Sequence, residues 1–215
     1  MADTNLKTVV GLFDDLGDAR EAVSELKSRG FGDGEVSLAA NASAEEYHRY
    51  FDDAGAYRSD AVVEESTATG TGTGAGIGAV LGGVAGLLAG LSIITIPGIG
   101  PIVGAGPLAS TLMGAMAGGL VGGLLGALTD MGVPEDHAGY YSEGVRRGGS
   151  LVIVKTNAAQ ADQATTILQR FNPVDVEQRV SSWRQSGWTG YDPKAEPYTS
   201  DRIAEERRSY ARPLR

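Results

Sequence analysis

The first forty residues predict a strand, a helix and a second strand. The run 7–13 is rich in β-branched and aromatic residues, as strands are. Apolar residues then recur at helical spacing over 16–31, where two aspartates occupy N-terminal cap positions and Gly30 closes the helix. A second strand is expected over 35–40. These elements form one βαβ unit.

A second unit of the same kind is expected far downstream. We predict a buried strand over 150–156, an amphipathic helix over 158–171 and an edge strand with alternating valines over 173–180. Two βαβ halves indicate a ferredoxin-like α+β sandwich, in which the strands at 7–13 and 150–156 share one sheet. Short helices are predicted between the halves, over 43–57 and over 134–146.

The middle of the chain has a different pattern. From Ser66 to Thr129 there are 64 consecutive residues without Asp, Glu, Lys, Arg or His. Two apolar blocks, 74–95 and 108–129, are separated by a proline-containing segment. Each block has 22 residues and as a helix would be about 33 Å long, enough to cross a hydrocarbon core of roughly 30 Å. The pattern predicts an inserted α-helical hairpin.

Small residues repeat every fourth position in both blocks, which on a helix makes one smooth stripe. We predict that these stripes pack the two helices together as a glycine zipper; the residues are Gly74, Gly78, Gly82, Gly86, Gly90, Ser110, Gly114, Gly118, Gly122 and Gly126. The segment from Gly74 also fits a loose dinucleotide-binding pattern. That alternative lacks both a strand before the glycines and an acidic residue about 20 positions after them.

The residues that flank the predicted hairpin do not decide whether it lies in a membrane or in a protein core. A lipid bilayer is favoured by the length of the blocks, but the ends lack the Trp, Tyr, Lys and Arg residues that anchor membrane helices. The alternative is a soluble homo-oligomer in which the hairpins bundle into a buried core.

Composition narrows the classes of function. The chain has 18 Lys and Arg against 27 Asp and Glu, a net charge of −9, so we expect no nucleic-acid partner. There is no cysteine, and hence no disulfide or thiolate chemistry. The N-terminal residues do not resemble an export signal. We therefore expect the α+β part to face the cytoplasm.

Few residues suggest a chemical site. Arg146 and Arg147, before a glycine pair, are candidates for contact with a phosphate or lipid headgroup, although their position favours helix capping. Glu45, His48 and Asp52 share a helical face, which we interpret as solvated rather than metal-binding. His137 beside two acids is interpreted in the same way. We expect no catalytic residue, metal or cofactor.

The C-terminal segment 181–215 is polar and carries Trp183, Trp188, Tyr191 and Tyr198 at irregular spacing. It is either an arm that binds a partner or a segment that packs over its own domain, and the sequence supports both equally. A short charged helix is expected from about Ser200.

Three stretches together resemble a known family. The start "TVVGLFDDLGDAREAVSELKSRGF", the glycine-rich apolar middle and the run "YYSEGVRRGGSLVIVKT" are similar to the general stress protein 17M-like family, also described as heat-induced or low-temperature-induced bacterial stress proteins. The resemblance covers about residues 7–180. It implies a stress-responsive, non-enzymatic protein, and it brings no catalytic residues.

The sequence therefore predicts four segments: a first half-domain over 1–65, the apolar hairpin over 66–133, a second half-domain over 134–180 and the tail. The function expected is that of a stress-response protein, attached to the cytoplasmic membrane by the hairpin. A soluble cytoplasmic homo-oligomer is the alternative, and the protein partner is not identified by the sequence.

Overall fold

The computed structural model describes residues 6–41, 92–96, 100–106, 123–196 and 198–210. In chain order the elements are β1 (Leu6–Phe13), α1 (Leu16–Ser28), β2 (Val36–Asn41), β3 (Ser92–Ile96), β4 (Gly100–Ala105), α2 (Gly123–Asp130), α3 (Glu135–Arg146), β5 (Ser150–Asn157), α4 (Ala158–Gln169), α5 (Val176–Gln185) and α6 (Ser200–Tyr210). Together they form a mixed α+β fold.

The first βαβ unit is confirmed, and local sequence signals explain it. The Asp15 side chain accepts hydrogen bonds from the backbone N–H groups of Gly17 and Asp18, which begins α1. Gly30 follows the helix with φ of +93°, a left-handed conformation that glycine adopts without strain. The predicted helices before and after β5 are confirmed as α3 and α4.

The sheet has five strands in the order β1-β5-β2-β4-β3. β5 lies between β1 and β2 and is antiparallel to both, with Val10 opposite Ile153 and Leu38 opposite Val152. The prediction that the strands at 7–13 and 150–156 share a sheet is confirmed. The two half-domains on either side of the charge-free region are therefore one domain.

The charge-free region itself supplies two strands of this sheet. β4 pairs with β2, with Ala39 opposite Gly104, and β3 pairs with β4. The prediction that the first apolar helix continues to residue 95 is wrong at its C-terminal end, because Ser92–Ile96 is a strand. Apolar runs without polar alternation do not distinguish a buried strand from a helix, and the β2 edge decides the outcome.

The second apolar block is helical at its C-terminal end. α2 packs on the sheet and buries Leu124, Ala127 and Leu128 completely. Gly126, assigned to the helix-packing stripe, has open space where a Cβ atom would stand. No close backbone contact by the described residues therefore requires glycine at this position.

Helices cover both faces of the sheet. One core joins α1 and α4 to inward side chains such as Phe13 and Val152, and we call this side the first face. A second core joins α2 and α3 to Leu12 and Leu151 on the opposite, second face. Because neighbouring strand residues point to opposite sides, β1, β2 and β5 contribute to cores on both faces and the described domain has three layers.

The predicted edge strand over 173–180 is wrong. Its first residues reach β1, where the Val174 N–H donates to the Leu12 carbonyl over 2.7 Å. The Asp175 side chain then accepts from the Gln178 N–H over 3.0 Å, and α5 begins at the next residue. The N-cap at Asp175 begins a helix, so the pairing of this segment with β1 ends after one hydrogen bond. The second predicted βαβ unit lacks its last strand, which a ferredoxin-like sandwich requires.

Some predictions lie outside the described residues. These are the helix over 43–57 with its His48 cluster, most of the first apolar block, and the stripe residues Gly74, Gly78, Gly82, Gly86, Gly90, Ser110, Gly114, Gly118 and Gly122. Among the helices that are described, none combines the length and apolar character needed to span a bilayer.

Candidate functional site

The paired arginines at the end of α3 perform the capping role that the sequence favoured. α3 ends at Arg146, and the Arg147 N–H donates to the carbonyls of Glu143 and Val145 as the C-cap. Gly148 follows with φ of +97° and turns the chain toward β5. The capping interaction places both cationic side chains beside the negative end of the helix dipole.

Both guanidinium groups lie against a buried carboxylate. Glu143 is fully buried, and its oxygens lie 2.6 Å from Arg147 Nε and 3.6 Å from Arg146 Nε. Arg147 also pairs with Glu206 of α6. We call Glu143, Arg146, Arg147 and Glu206 the carboxylate–arginine cluster. A buried charge needs such partners, because an unpaired one costs several kcal/mol.

Aromatic rings cover the cluster. The Arg147 guanidinium lies 4.7 Å from the centre of the Trp183 ring, and the Arg146 guanidinium lies 4.8 Å from the centre of the Tyr198 ring. Burial lowers the pKa of Arg147, but Glu143 and Glu206 outweigh that effect and hold this pKa above its usual value. The cluster is therefore a set of fixed charges enclosed by carboxylates and rings.

α6 closes the cluster from outside. Ile203 is buried against Gly148, where a Cβ atom would stand 2.3 Å from Ile203 Cγ2. Arg207 donates to the Gly148 carbonyl over 2.7 Å. These contacts show the C-terminal segment packed over its own domain, which is one of the two arrangements that the sequence supported.

A second set of contacts fixes α5 and α6 to the end of β1. Arg179 donates to both oxygens of Asp14 at 2.9 and 2.7 Å, and its guanidinium lies 3.5 Å from the centre of the Tyr210 ring. The Tyr210 hydroxyl donates to Glu206 over 2.7 Å and accepts from Trp183 Nε1 over 2.8 Å. The carboxylate–arginine cluster and the Asp14–Arg179 pair are thus linked through Tyr210.

Arg146 and Arg147, the residues proposed to contact a phosphate or lipid headgroup, lie beside carboxylates of the protein itself. Glu143 and Glu206 already occupy the positions beside the Arg147 guanidinium that an external anion would take. In the arrangement observed, the cluster stabilises the junction of α3, α5 and α6.

The sequence reading missed Glu143, Glu206 and the pair of Asp14 with Arg179. Glu143 lies four residues before Arg147, a spacing that brings side chains together on a helix and that was visible in the sequence. Glu206 is 59 residues from Arg147, and no local signal connects them.

An apolar groove runs along the outer edge of β1. Its cavity measures about 290 Å³ and lies between α4, α3 and the start of α5. The walls include Val10, Leu168, Tyr141 and Val176, with His137 and Glu177 at the rim. We call it the β1-edge groove. His137 Nε2 lies 3.9 Å from Glu177 Oε1. The described residues include no group of three or more potential metal ligands.

Two half-buried tyrosines predict how stability falls at high pH. Burial raises the pKa of Tyr191 to about 12, and burial together with the Glu206 hydrogen bond also raises the pKa of Tyr210. Folding therefore favours the neutral phenols. Their contribution is present below the ordinary pKa of 10 and is lost as the pH rises toward about 12.

We expect Tyr191→Phe to shift alkaline unfolding to higher pH, because the unfolded state then loses one favourable ionisation. Circular dichroism between pH 9 and pH 12.5, at about room temperature, measures the midpoint. Tyr140→Phe, which changes a phenol in an exposed hydrogen bond with Arg184, is the control. Equal midpoints for the two variants would contradict the assignment.

The fold defines the protein as a three-layer α+β domain whose sheet contains part of an apolar, charge-free segment. Compared with known proteins, the chain matches no family model, no curated protein and no solved structure. The resemblance to bacterial general stress proteins stays a prediction from the sequence.

Proposed function

We propose that this chain is a non-enzymatic structural protein of the bacterial stress response, which self-associates through its charge-free segments 66–91 and 107–122. The assignment to the stress response rests on the family resemblance of the sequence. The α+β domain serves as a stable platform that carries these segments. In this proposal the protein is a cytoplasmic homo-oligomer.

The pairing of β4 with β2 carries the proposal. Because residues 92–105 contribute strands to the sheet and α2 packs on it, the charge-free region is not available as two uninterrupted 22-residue helices. Residues 107–122 would span about 24 Å as a helix, less than the roughly 30 Å of a hydrocarbon core. An apolar helix of this length is stabilised more by packing against other protein segments than by insertion into a bilayer.

The platform role is supported by where the charged groups lie. Glu143, the buried carboxylate of the described residues, pairs with Arg146 and Arg147, and Arg147 also pairs with Glu206 of α6. Arg179 and Asp14 hold α5 against the end of β1. These charges join helices to one another, as expected of a stable platform that carries the self-associating segments.

Membrane attachment is the second candidate function. Residues 66–91 comprise 26 residues without a charge, which is enough apolar chain to enter a bilayer. Because β2 before this segment and β4 after it pair in one sheet, the segment would have to enter and leave the membrane on the same side. This candidate places the α+β domain on the cytoplasmic side of the membrane.

Fractionation and mass measurement distinguish the two functions. We expect the full chain in the high-speed supernatant without detergent, with a light-scattering mass of several chains. Gly82→Leu should reduce that mass, because overpacking a close contact costs about 1–3 kcal/mol against a gain in helix propensity of about 1 kcal/mol. Ala85→Leu, which lies off the stripe, is the control.

Recovery in the membrane pellet with release only by detergent would support the second candidate and contradict self-association in solution. A monomeric supernatant, or equal masses for Gly82→Leu and Ala85→Leu, would contradict the role of the glycine stripe.

A further inference from the structure

The outer edge of β1 has backbone groups that the sheet does not use. Among the described strands β1 pairs with β5 alone. The Leu12 carbonyl points away from β5, because it accepts from Val174. In an antiparallel ladder the direction of the backbone groups alternates, so Val10, Thr8 and Leu6 also direct theirs to the open edge.

The same edge carries an exposed apolar side chain. Leu6 is 51% exposed and is the exposed large hydrophobic residue of the described chain. Side chains alternate between faces, so Leu6 points to the second face, as Val10 and Leu12 do. Tyr141 and Val176 line the β1-edge groove next to these residues.

We propose that two copies of this chain pair through their β1 edges, with Leu6 of each copy entering the β1-edge groove of the other. An antiparallel pair of edges related by a two-fold axis at Thr8 sets Leu6 opposite Val10 of the second copy. Both residues direct their backbone groups outward, as a hydrogen-bonded pair requires. The groove of about 290 Å³ has room for a leucine side chain.

The contact is self-complementary, because one edge supplies both the exposed Leu6 side chain and the apolar groove. Antiparallel pairing places Leu6 of each copy at the groove of the other, so the same contact forms twice. Such an isologous contact closes on itself and forms a dimer rather than a filament.

This dimer is independent of association through the charge-free segments, and its test separates the two. The chain contains no cysteine, so an introduced thiol reports only its own position. We expect Thr8→Cys in the full chain to form a disulfide-linked dimer under oxidised glutathione, because paired Cα atoms about 5.5 Å apart can be bridged. Thr166→Cys, on the exposed side of α4, is the control and should remain uncrosslinked.

Adding Leu6→Glu to Thr8→Cys should slow crosslinking at least tenfold, since the charge enters an apolar groove. Gln163→Glu adds the same charge at an exposed position about 200° around α4 from the groove residue Thr165, and should leave the rate unchanged. Gly82→Leu should also leave it unchanged, even where it reduces the oligomer mass.

The register has a second readout that does not alter Thr8, whose hydroxyl donates to the Met131 carbonyl. A mixture of Leu6→Cys chains and Val10→Cys chains should give a mixed disulfide faster than either variant alone. Absence of both this product and the Thr8→Cys dimer, or equal rates for Leu6→Glu and Gln163→Glu, would overturn the proposal. Absence of both disulfide products is the result expected if the β1 edge instead binds a peptide from another protein.

Discussion

A variant that joins Val63 directly to Pro134 through a short flexible linker is expected not to fold cooperatively. It lacks β3, β4 and α2, and it loses the buried side chains of Leu124, Leu128 and Met131. Burying each such side chain contributes about 1.5–3 kcal/mol, so their loss is comparable to the roughly 5–15 kcal/mol that stabilise a whole domain. The part of the second face that α2 covers would be exposed to water.

The matched control removes apolar residues but no described element. Replacing 66–91 by a flexible linker retains every described strand and helix, and we expect a cooperative urea transition close to that of the full chain. Urea unfolding followed by circular dichroism, with a dye for exposed apolar surface, compares the two variants. A cooperative transition for the Val63–Pro134 variant would show that β3, β4 and α2 are dispensable.

The sequence predicted an inserted helical hairpin in this region rather than strands of the sheet, and the reason for the error is physical. The elements that were predicted correctly have local signals: the Asp15 cap and Gly30 for α1, and helical periodicity for α4. β3 and β4 have no such signal, because their apolar and glycine residues fit either a strand or a helix. Their conformation depends on pairing with β2, which is distant in the sequence.

The segment after α4 shows how two local signals compete. Val174, Val176 and Val180 fit a strand by their even spacing, whereas Val176, Val180 and Trp183 fit one side of a helix. The cap from Asp175 to Gln178 favours the helix. One strand-like hydrogen bond remains, from Val174 to Leu12, and no other described strand pairs with this edge of β1.

Glu143→Gln is expected to lower the free energy of unfolding by about 3–5 kcal/mol. The substitution keeps the shape of the side chain but removes the charge that pairs with two buried guanidinium groups, and breaking a buried ion pair leaves an uncompensated charge. For a chain of this size the melting temperature should fall by roughly 6–20 °C. Calorimetry or thermal circular dichroism measures the change.

An ion pair on the surface serves as the control for Glu143 and Arg147. Glu25 and Arg29 of α1 have the same residue types at the same spacing of four, but the Arg29 side chain is half exposed. Glu25→Gln should change stability by less than about 0.5 kcal/mol. If Glu143→Gln and Glu25→Gln had equal effects, burial would not determine the contribution of the carboxylate–arginine cluster.

The candidate site was predictable only in part, for reasons of distance along the chain. Arg146 and Arg147 were recognised as helix-end cations, and their capping role follows from local geometry. The Glu206 carboxylate on α6 and the ring of Trp183 on α5, which both contact Arg147, come from the C-terminal segment, and no local signal connects them to α3. Tertiary contacts therefore determine whether these cations are available to an external anion.

The most direct test of this account is whether residues 100–105 pair with β2. Nuclear magnetic resonance of the full chain should show cross-strand contacts between Ala39 and Gly104 and between Ala40 and Val103, with slow amide exchange along the ladder. Helical sequential contacts over 92–95 without any contact between Ala39 and Gly104 would contradict it. The charge-free region would then be available as uninterrupted helices, and self-association through its two flanking segments would lose its structural basis.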